Sequence, residues 1–286
     1  NGCDTAQGTE FEQHPFFEAS SIRHFGDWYY LVYSSLQGYE LCYGMARKPE
    51  GPYHYQGVLH SNGDLGYRGN TLATNYMGNN HGGLVKIKDD YYIFGHRHTH
   101  GTAFSSQGVA EKVEMLSDGT IPQVEQTSCG LHGGPLPAEG VYPAYIACHL
   151  TEEDRTKVDR VVMTGPQGGK LTLPSQMPYI TEEVWKDGEK GIRPYVCNMR
   201  KGAVCGFKYL EFDGKDRQLT VRVRGEGVLG VCVDAPDGEV SGSMRFSGEE
   251  WMEAECTVCG IAGIHALYFR VLEGACDFTE FILNCV

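Results

Sequence analysis

Long apolar runs are missing from this chain: no stretch approaches the roughly 18 residues that mark a membrane-spanning helix. An excess of basic residues is missing too. Lys and Arg total 24 against 37 Asp and Glu, a formal net charge of −13. That balance excludes nucleic acid and anionic membrane as partners, since both select for Lys and Arg. It leaves room for a neutral ligand such as a sugar. The opening residues, NGCDTAQGTEFEQ, contain neither a signal peptide nor a transit peptide, and they lack an initiator Met. Helical patterning is scarce. No long window carries an apolar stripe at 3.6-residue spacing, and TEEDRTKVDR at 151 to 160, helix-like in composition, is polar all round. There is no G-x-S-x-G elbow, so a Ser-His-Asp hydrolase is unsupported. No G-x-G-x-x-G links a strand to a helix, which argues against a nucleotide cofactor.

Cysteine is not scarce, but its pattern is uninformative. The 11 cysteines are scattered and odd in number, unlike a secreted disulfide scaffold. Cys256 and Cys259 form a lone CxxC with no second pair at zinc-site spacing. Reduced, mostly buried thiols are expected, and with them a cytoplasmic, bacterial location rather than a secreted one.

What is present is strand. WYYLVYSS, YELCYGMAR, GGLVKIK, YYIFGHRH, VAEKVEML, KLTL, QLTVRVR, VLGVCV, HALYFRVL and FTEFIL are short β-branched or aromatic runs. Turn residues punctuate them: HFGD, LQGY, KPEGP, KDD, SDGT, DGKDR, PDGE. The expected fold is all-β, in two parts. Residues 1–150 repeat one idea, aromatic meanders joined by Gly-rich links, with GDWYYLVYSS echoed by DDYYIFGHRH. This is the texture of propeller blades. Residues 151–286 open with a connector to about 176 and continue in cleanly alternating strands, as a β-sandwich of jelly-roll type does.

One residue in HPFFEASSIRHFGDWYYLVYSS (14 to 35) is out of place. Glu18 follows Phe16 and Phe17 and precedes an aromatic strand, where desolvation makes a carboxylate's charge expensive. Either it is an ordinary exposed loop glutamate, or it is a carboxylic acid kept protonated to deliver a proton. Phe16 and Phe17 are the kind of neighbours that would raise its pKa.

The order E-x-S-x-I-x-x-x-G-D-W-Y-Y-L-V-Y-S-S, then YELCYGMARKPEGPY, then NNHGGLVKIKDDYYIFGHRH resembles the later blades of glycoside hydrolase family 43. The likeness runs on through FSSQGVAEKVEMLSDGTIPQVEQTSCGL. PYITEE, GAVCGFKYLEF, GIHALYFRVLEG and FTEFIL are similar to the family 6 type of carbohydrate-binding β-sandwich. The resemblance implies a partial five-bladed propeller followed by a sandwich. It implies inverting hydrolysis of α-L-arabinofuranosyl or β-D-xylosyl linkages in plant cell-wall oligosaccharides or polysaccharides. The matching position makes Glu18 the general acid. It places His81, in NNHGG, beneath the sugar, where it would help hold a water or a structural calcium ion on the propeller axis. Phe17 and Arg97 are expected as further substrate contacts, and no cofactor is required. His96, His98 and His100 in GHRHTH could form a metal cluster or an active-site rim, with Arg97 on the other face of the strand.

Three departures stand out. The family's glutamate is commonly followed by Gly-Pro, and here by Ala19-Ser20. Ser106 stands where many relatives carry a sugar-contacting arginine. The family's base and pKa-tuning aspartates belong to blades that precede the glutamate, and no residue before Glu18, Asp4 included, sits in a matching motif. The base is therefore expected on missing N-terminal blades, in a longer chain or a second chain. The rival expectation is a non-catalytic carbohydrate-binding protein with Trp251, Tyr268 and Tyr209 as stacking platforms.

Overall fold

A computed structural model describes residues 5–154, 156, 177–184 and 191–286. The all-β expectation holds: the described residues form 16 strands linked by turns and single 3-10 turns. No helix among them is long and apolar enough to cross a membrane. The chain divides into two compact units, one built mainly from residues 1–126 and one mainly from 127–286.

In the first unit, β1 (Phe16–Phe25), β2 (Trp28–Ser35), β3 (Glu40–Ala46) and β4 (His54–Ser61) form a four-stranded antiparallel meander. It has the strand order of a propeller blade. A two-residue turn joins Phe25 to Trp28, and Gly26 takes the positive φ of 57° that such hairpins demand. A second sheet holds β5 (Gly83–Ile87), β6 (Asp90–Thr99) and β7 (Thr102–Val113). The aromatic strands face one core, in which Tyr30, Val32, Leu41, Tyr43, Leu59, Leu84, Ile93, Val113 and Ile121 are buried together. Tyrosine serves here because each hydroxyl finds backbone. Tyr30 donates to the Gly119 carbonyl at 2.8 Å, and Tyr43 donates to the Ile121 carbonyl at 3.0 Å. A buried phenol left unpaired would cost more than its ring contributes.

The second unit contains β8 (Leu136–Pro137), β9 (Gly140–Pro143), β10 (His149–Thr151), β11 (Tyr179–Val184), β12 (Ile192–Arg200), β13 (Val204–Asp213), β14 (Arg217–Val233), β15 (Val240–Val258) and β16 (Ala262–Cys285). All belong to one connected network of strand pairs. Phe207, Phe269, Phe278 and Phe281 meet at its centre, with ring centroids 4.7 to 6.2 Å apart. Such edge-to-face and tilted contacts add to the burial of the rings themselves.

Two expectations are corrected. The boundary placed at 150 lies near 126, because β8 and β10 pair with β13 and β9 pairs with β16, so 136–151 belongs to the sandwich. QLTVRVR and VLGVCV are one strand, β14, and HALYFRVL and FTEFIL are one strand, β16. The intervening glycines read as turns, yet they sit where two backbones nearly touch. A Cβ at Gly227 would lie 2.1 Å from the Glu273 carbonyl oxygen, and one at Gly274 (φ 73°) would lie 1.9 Å from that of Glu226. They let the long strands bend without breaking the ladder. The KLTL strand, most of the connector, and Asp4 lie outside the described residues.

Candidate active site

Glu18 lies on β1, whose pairing with β2 is irregular on both sides of it. Register shifts separate Phe16 from Glu18 and Glu18 from Ser21. Extra residues in one strand bend it and re-aim its side chains. The second irregularity is sharp: Ala19 has φ of 57°, in the left-handed region that favours glycine. The departure from Gly-Pro seen in the sequence therefore falls on a position whose backbone suits glycine. The bulge turns the Glu18 carboxylate toward His81, whose Nε2 lies 2.7 Å from Oε1.

The loop that presents His81 is pinned from several directions. The Asn79 amide donates to His98 Nε2 at 3.2 Å, and Asn80 Oδ1 accepts from the His96 amide at 3.1 Å. Asn80 Nδ2 lies 2.9 Å from His60 Nδ1, and its own backbone N–H donates to Gly38 at 2.8 Å. Gly82 must be glycine, because a Cβ there would sit 1.7 Å from the Phe94 carbonyl oxygen. NNHGG is thus a rigid mount clamped onto β6.

Behind His81 the imidazoles continue in a row. The His81 and His96 ring centroids are 5.1 Å apart, and those of His96 and His98 are 6.0 Å apart. As strand alternation requires, His96 and His98 share a face of β6. Burial, reinforced by the neighbouring imidazoles, pushes both below the ordinary histidine pKa. At neutral pH they are therefore uncharged.

The other expected site residues fare differently. Phe16 and Phe17 are 43% and 52% exposed, and the Glu18 side chain is 44% exposed. The carboxyl is thus held by a histidine at an accessible position rather than enclosed by phenylalanines. Arg97 is 2% exposed, and its Nε donates to Gln107 at 3.1 Å. That burial removes it from the role of an open substrate contact. Ser106 Oγ lies 3.5 Å from His98 Nδ1, so it lines the imidazole row. His100 belongs to the second unit, where its amide donates to the Ile180 carbonyl at 2.7 Å.

The platform aromatics of the sandwich are largely occupied. Tyr268 is 5% exposed and packs edge-on against His149. Tyr209 packs against a small cluster around Val204 and Cys232. The Trp251 indole donates to Glu183 at 2.6 Å, and the Arg224 guanidinium lies 4.5 Å from its ring centroid. Trp251 still contributes to an open pocket of about 480 Å³ with Arg193 and Arg222.

The sequence reading passed over Asn79, Asn80 and His60, which hold the His81 loop. The doubled asparagine of NNHGG was their available signal. It also passed over Glu40, whose burial no local pattern reveals.

No family model matches the sequence. Over 97% of its length the chain is 44% identical to a xylosidase/arabinosidase of Thermoclostridium stercorarium, of which it covers 58%. Its fold aligns with a family 43 arabinoxylan arabinofuranohydrolase of Bacillus subtilis at a TM-score of 0.50 and 19% identity. That alignment takes in 95% of this chain and 55% of the other. A family 6 carbohydrate-binding module of Clostridium cellulolyticum, solved with xylose, aligns with 52% of this chain and 98% of its own at a TM-score of 0.37 and 16% identity. The chain thus spans a little over half of the first two relatives. The chain is similar over nearly its whole length to a xylosidase/arabinosidase, and its fold aligns with that of a family 43 arabinoxylan arabinofuranohydrolase.

Proposed function

We propose that this chain carries the general acid of an inverting glycosidase that removes α-L-arabinofuranosyl or β-D-xylosyl units from plant cell-wall glycans. Glu18 is the acid, and the base is an aspartate supplied by residues outside this sequence. The observation that carries the reading is the 2.7 Å contact between Glu18 Oε1 and His81 Nε2, on a carboxyl that solvent can reach.

A carboxylic acid has one proton to deliver and two oxygens to deliver it from. With His81 Nε2–H donating to Oε1, the transferable proton sits on Oε2, facing the leaving oxygen. Once the proton has left, the same N–H stabilises the new carboxylate. An inverting enzyme then needs its second carboxylate about 6.5 to 9.5 Å away, with a water between the two. The homologue's name and the family 43 fold support this substrate class. The imidazoles of this row do not suit a calcium ion as direct ligands, so His81 would reach one only through a water. Calcium takes six to eight oxygens, whereas His81, His96 and His98 offer nitrogen and His81 Nε2 faces Glu18. No step of the mechanism runs through one.

The test is leaving-group dependence in the full natural chain. Glu18→Gln should lose about 10² to 10⁴ in kcat on alkyl glycosides and oligosaccharides. It should lose far less on aryl arabinofuranosides or xylosides whose phenol departs without protonation. An equal loss on both series would refute the acid role. Sugar binding with no turnover in the unaltered protein would favour the carbohydrate-binding alternative.

A further inference from the structure

On the first unit, apart from the imidazole row, three metal-ligating side chains of different kinds converge. His14 Nδ1 lies 2.6 Å from Glu40 Oε1, and Cys42 Sγ lies 3.6 Å from the same oxygen. All three donor atoms fall within 4.8 Å of one another, and theirs is the only such group among the described residues. We propose that His14, Glu40 and Cys42 form a binding site for a borderline-soft divalent cation, zinc by the chemistry of its ligands.

The case begins with a buried charge. Glu40 is 4% exposed and Cys42 is fully buried. Among the described residues Glu40 has no Lys or Arg partner, and its ion-pair neighbour is His14 alone. A carboxylate taken out of water without a cation is costly. One carboxylate and one thiolate sum to two negative charges, which a divalent ion neutralises.

Ligand type and geometry agree. Imidazole nitrogen, carboxylate oxygen and thiolate sulfur are zinc's usual donors, at about 2.0 to 2.3 Å. Tetrahedral placement then needs donors about 3.3 to 3.5 Å apart, from those same bond lengths. The sulfur–oxygen spacing of 3.6 Å is close to this, and the His14 ring, 2.6 Å from the same oxygen, must draw back from it. The outer contacts are those that orient metal ligands. The Tyr55 ring stacks on His14 with centroids 5.4 Å apart and planes 12° apart, and its hydroxyl lies 4.0 Å from Cys42 Sγ. Ser35 Oγ donates to Glu40 Oε1 at 2.5 Å, and Tyr33 donates to the His14 carbonyl at 2.7 Å. Entry is from the His14 side, where that side chain is 30% exposed. On binding, the Cys42 thiol gives its proton to solvent, the proton that His14 Nδ1 directs at Glu40 leaves that nitrogen so that the neutral ring carries its one proton on Nε2, and Nδ1 turns from Glu40 to the metal. The ion would staple the segment leading into β1 to strand β3, four residues ahead of Glu18.

Without metal the same atoms form a hydrogen-bond network, so the experiment must separate the two. Cobalt(II) added to the full, metal-stripped chain should produce the near-ultraviolet charge-transfer absorption of a thiolate–cobalt bond, and zinc should abolish it. The band should persist in a Cys256→Ser, Cys259→Ser double variant and vanish in Cys42→Ser. In His14→Gln, which alters a partly exposed position and leaves the core intact, cobalt affinity should fall by about tenfold or more, as loss of even outer-shell support does. Absence of the band in the unaltered chain overturns the proposal. So does its full retention in Cys42→Ser or in His14→Gln.

Discussion

Ala19 sits beside the candidate acid with φ of 57°, and that angle has a measurable cost. For a residue with a Cβ, the left-handed region costs about 1 to 2 kcal/mol, through the clash of Cβ with the following carbonyl oxygen. Ala19→Gly removes the clash but frees the unfolded chain, which takes back about 0.4 to 1 kcal/mol. The net expectation is stabilisation of the first unit by roughly 0.5 to 1 kcal/mol. Ala19→Val moves the other way, because a β-branched residue is a genuine outlier at positive φ. It should destabilise by at least about 1 kcal/mol and shift the bulge that aims Glu18 at His81. Urea unfolding of the full chain, compared at constant m-value, reads both changes as midpoint shifts. A neutral or destabilising glycine together with a tolerated valine would refute the claim that this bulge is strained, and with it the account of how Glu18 is aimed.

Two further outcomes follow from the same unit. Burial holds His60 near a pKa of about 4, against an ordinary 6.5. Between those values the unfolded chain binds more protons than the folded one. Stability is therefore full above pH 6.5 and should fall by about 3 kcal/mol as pH drops toward 4. His60→Gln should flatten that slope in unfolding midpoints measured across the window, and an unchanged slope would contradict the assignment. Gly119 has φ of 89°, and a Cβ there would lie 2.6 Å from Trp28 Cδ1. Gly119→Ala should therefore cost about 1 to 3 kcal/mol and loosen the Tyr30 hydroxyl contact. A thermal melt indistinguishable from that of the parent would be inconsistent with this packing.

The strands that the sequence revealed are those whose burial imposes a pattern. WYYLVYSS is β2 residue for residue, and YYIFGHRH falls inside β6, because a strand packed against a core must be aromatic or β-branched. β15 was passed over: VSGSMRFSGEEWMEAECTV is half exposed along much of its length, and its glycines and glutamates read as loop. The domain boundary was misplaced for a related reason. Strands β8 to β10 hold two to four residues each, too few to show a period, and they are strands only because β13 and β16 offer them an edge.

The candidate acid could be named because Glu18 lies in a continuous run of residues whose order can be matched. Its partner was nameable as a residue, His81, but not as a contact. Residues 18 and 81 meet only because one bulge turns a carboxylate and a second loop is clamped by Asn79, Asn80 and Gly82. The burial of Arg97 and of Glu40 belongs to the same class of fact. A charged residue in a strand looks alike in sequence whichever way it faces, and packing against distant segments decides which side meets water. Local pattern thus determined the strands that most fully face a core, such as β2 and β6, and the chemistry on offer. Tertiary structure alone decided which groups stand within hydrogen-bond reach, since that depends on backbone irregularities and loop anchors that leave little trace in composition.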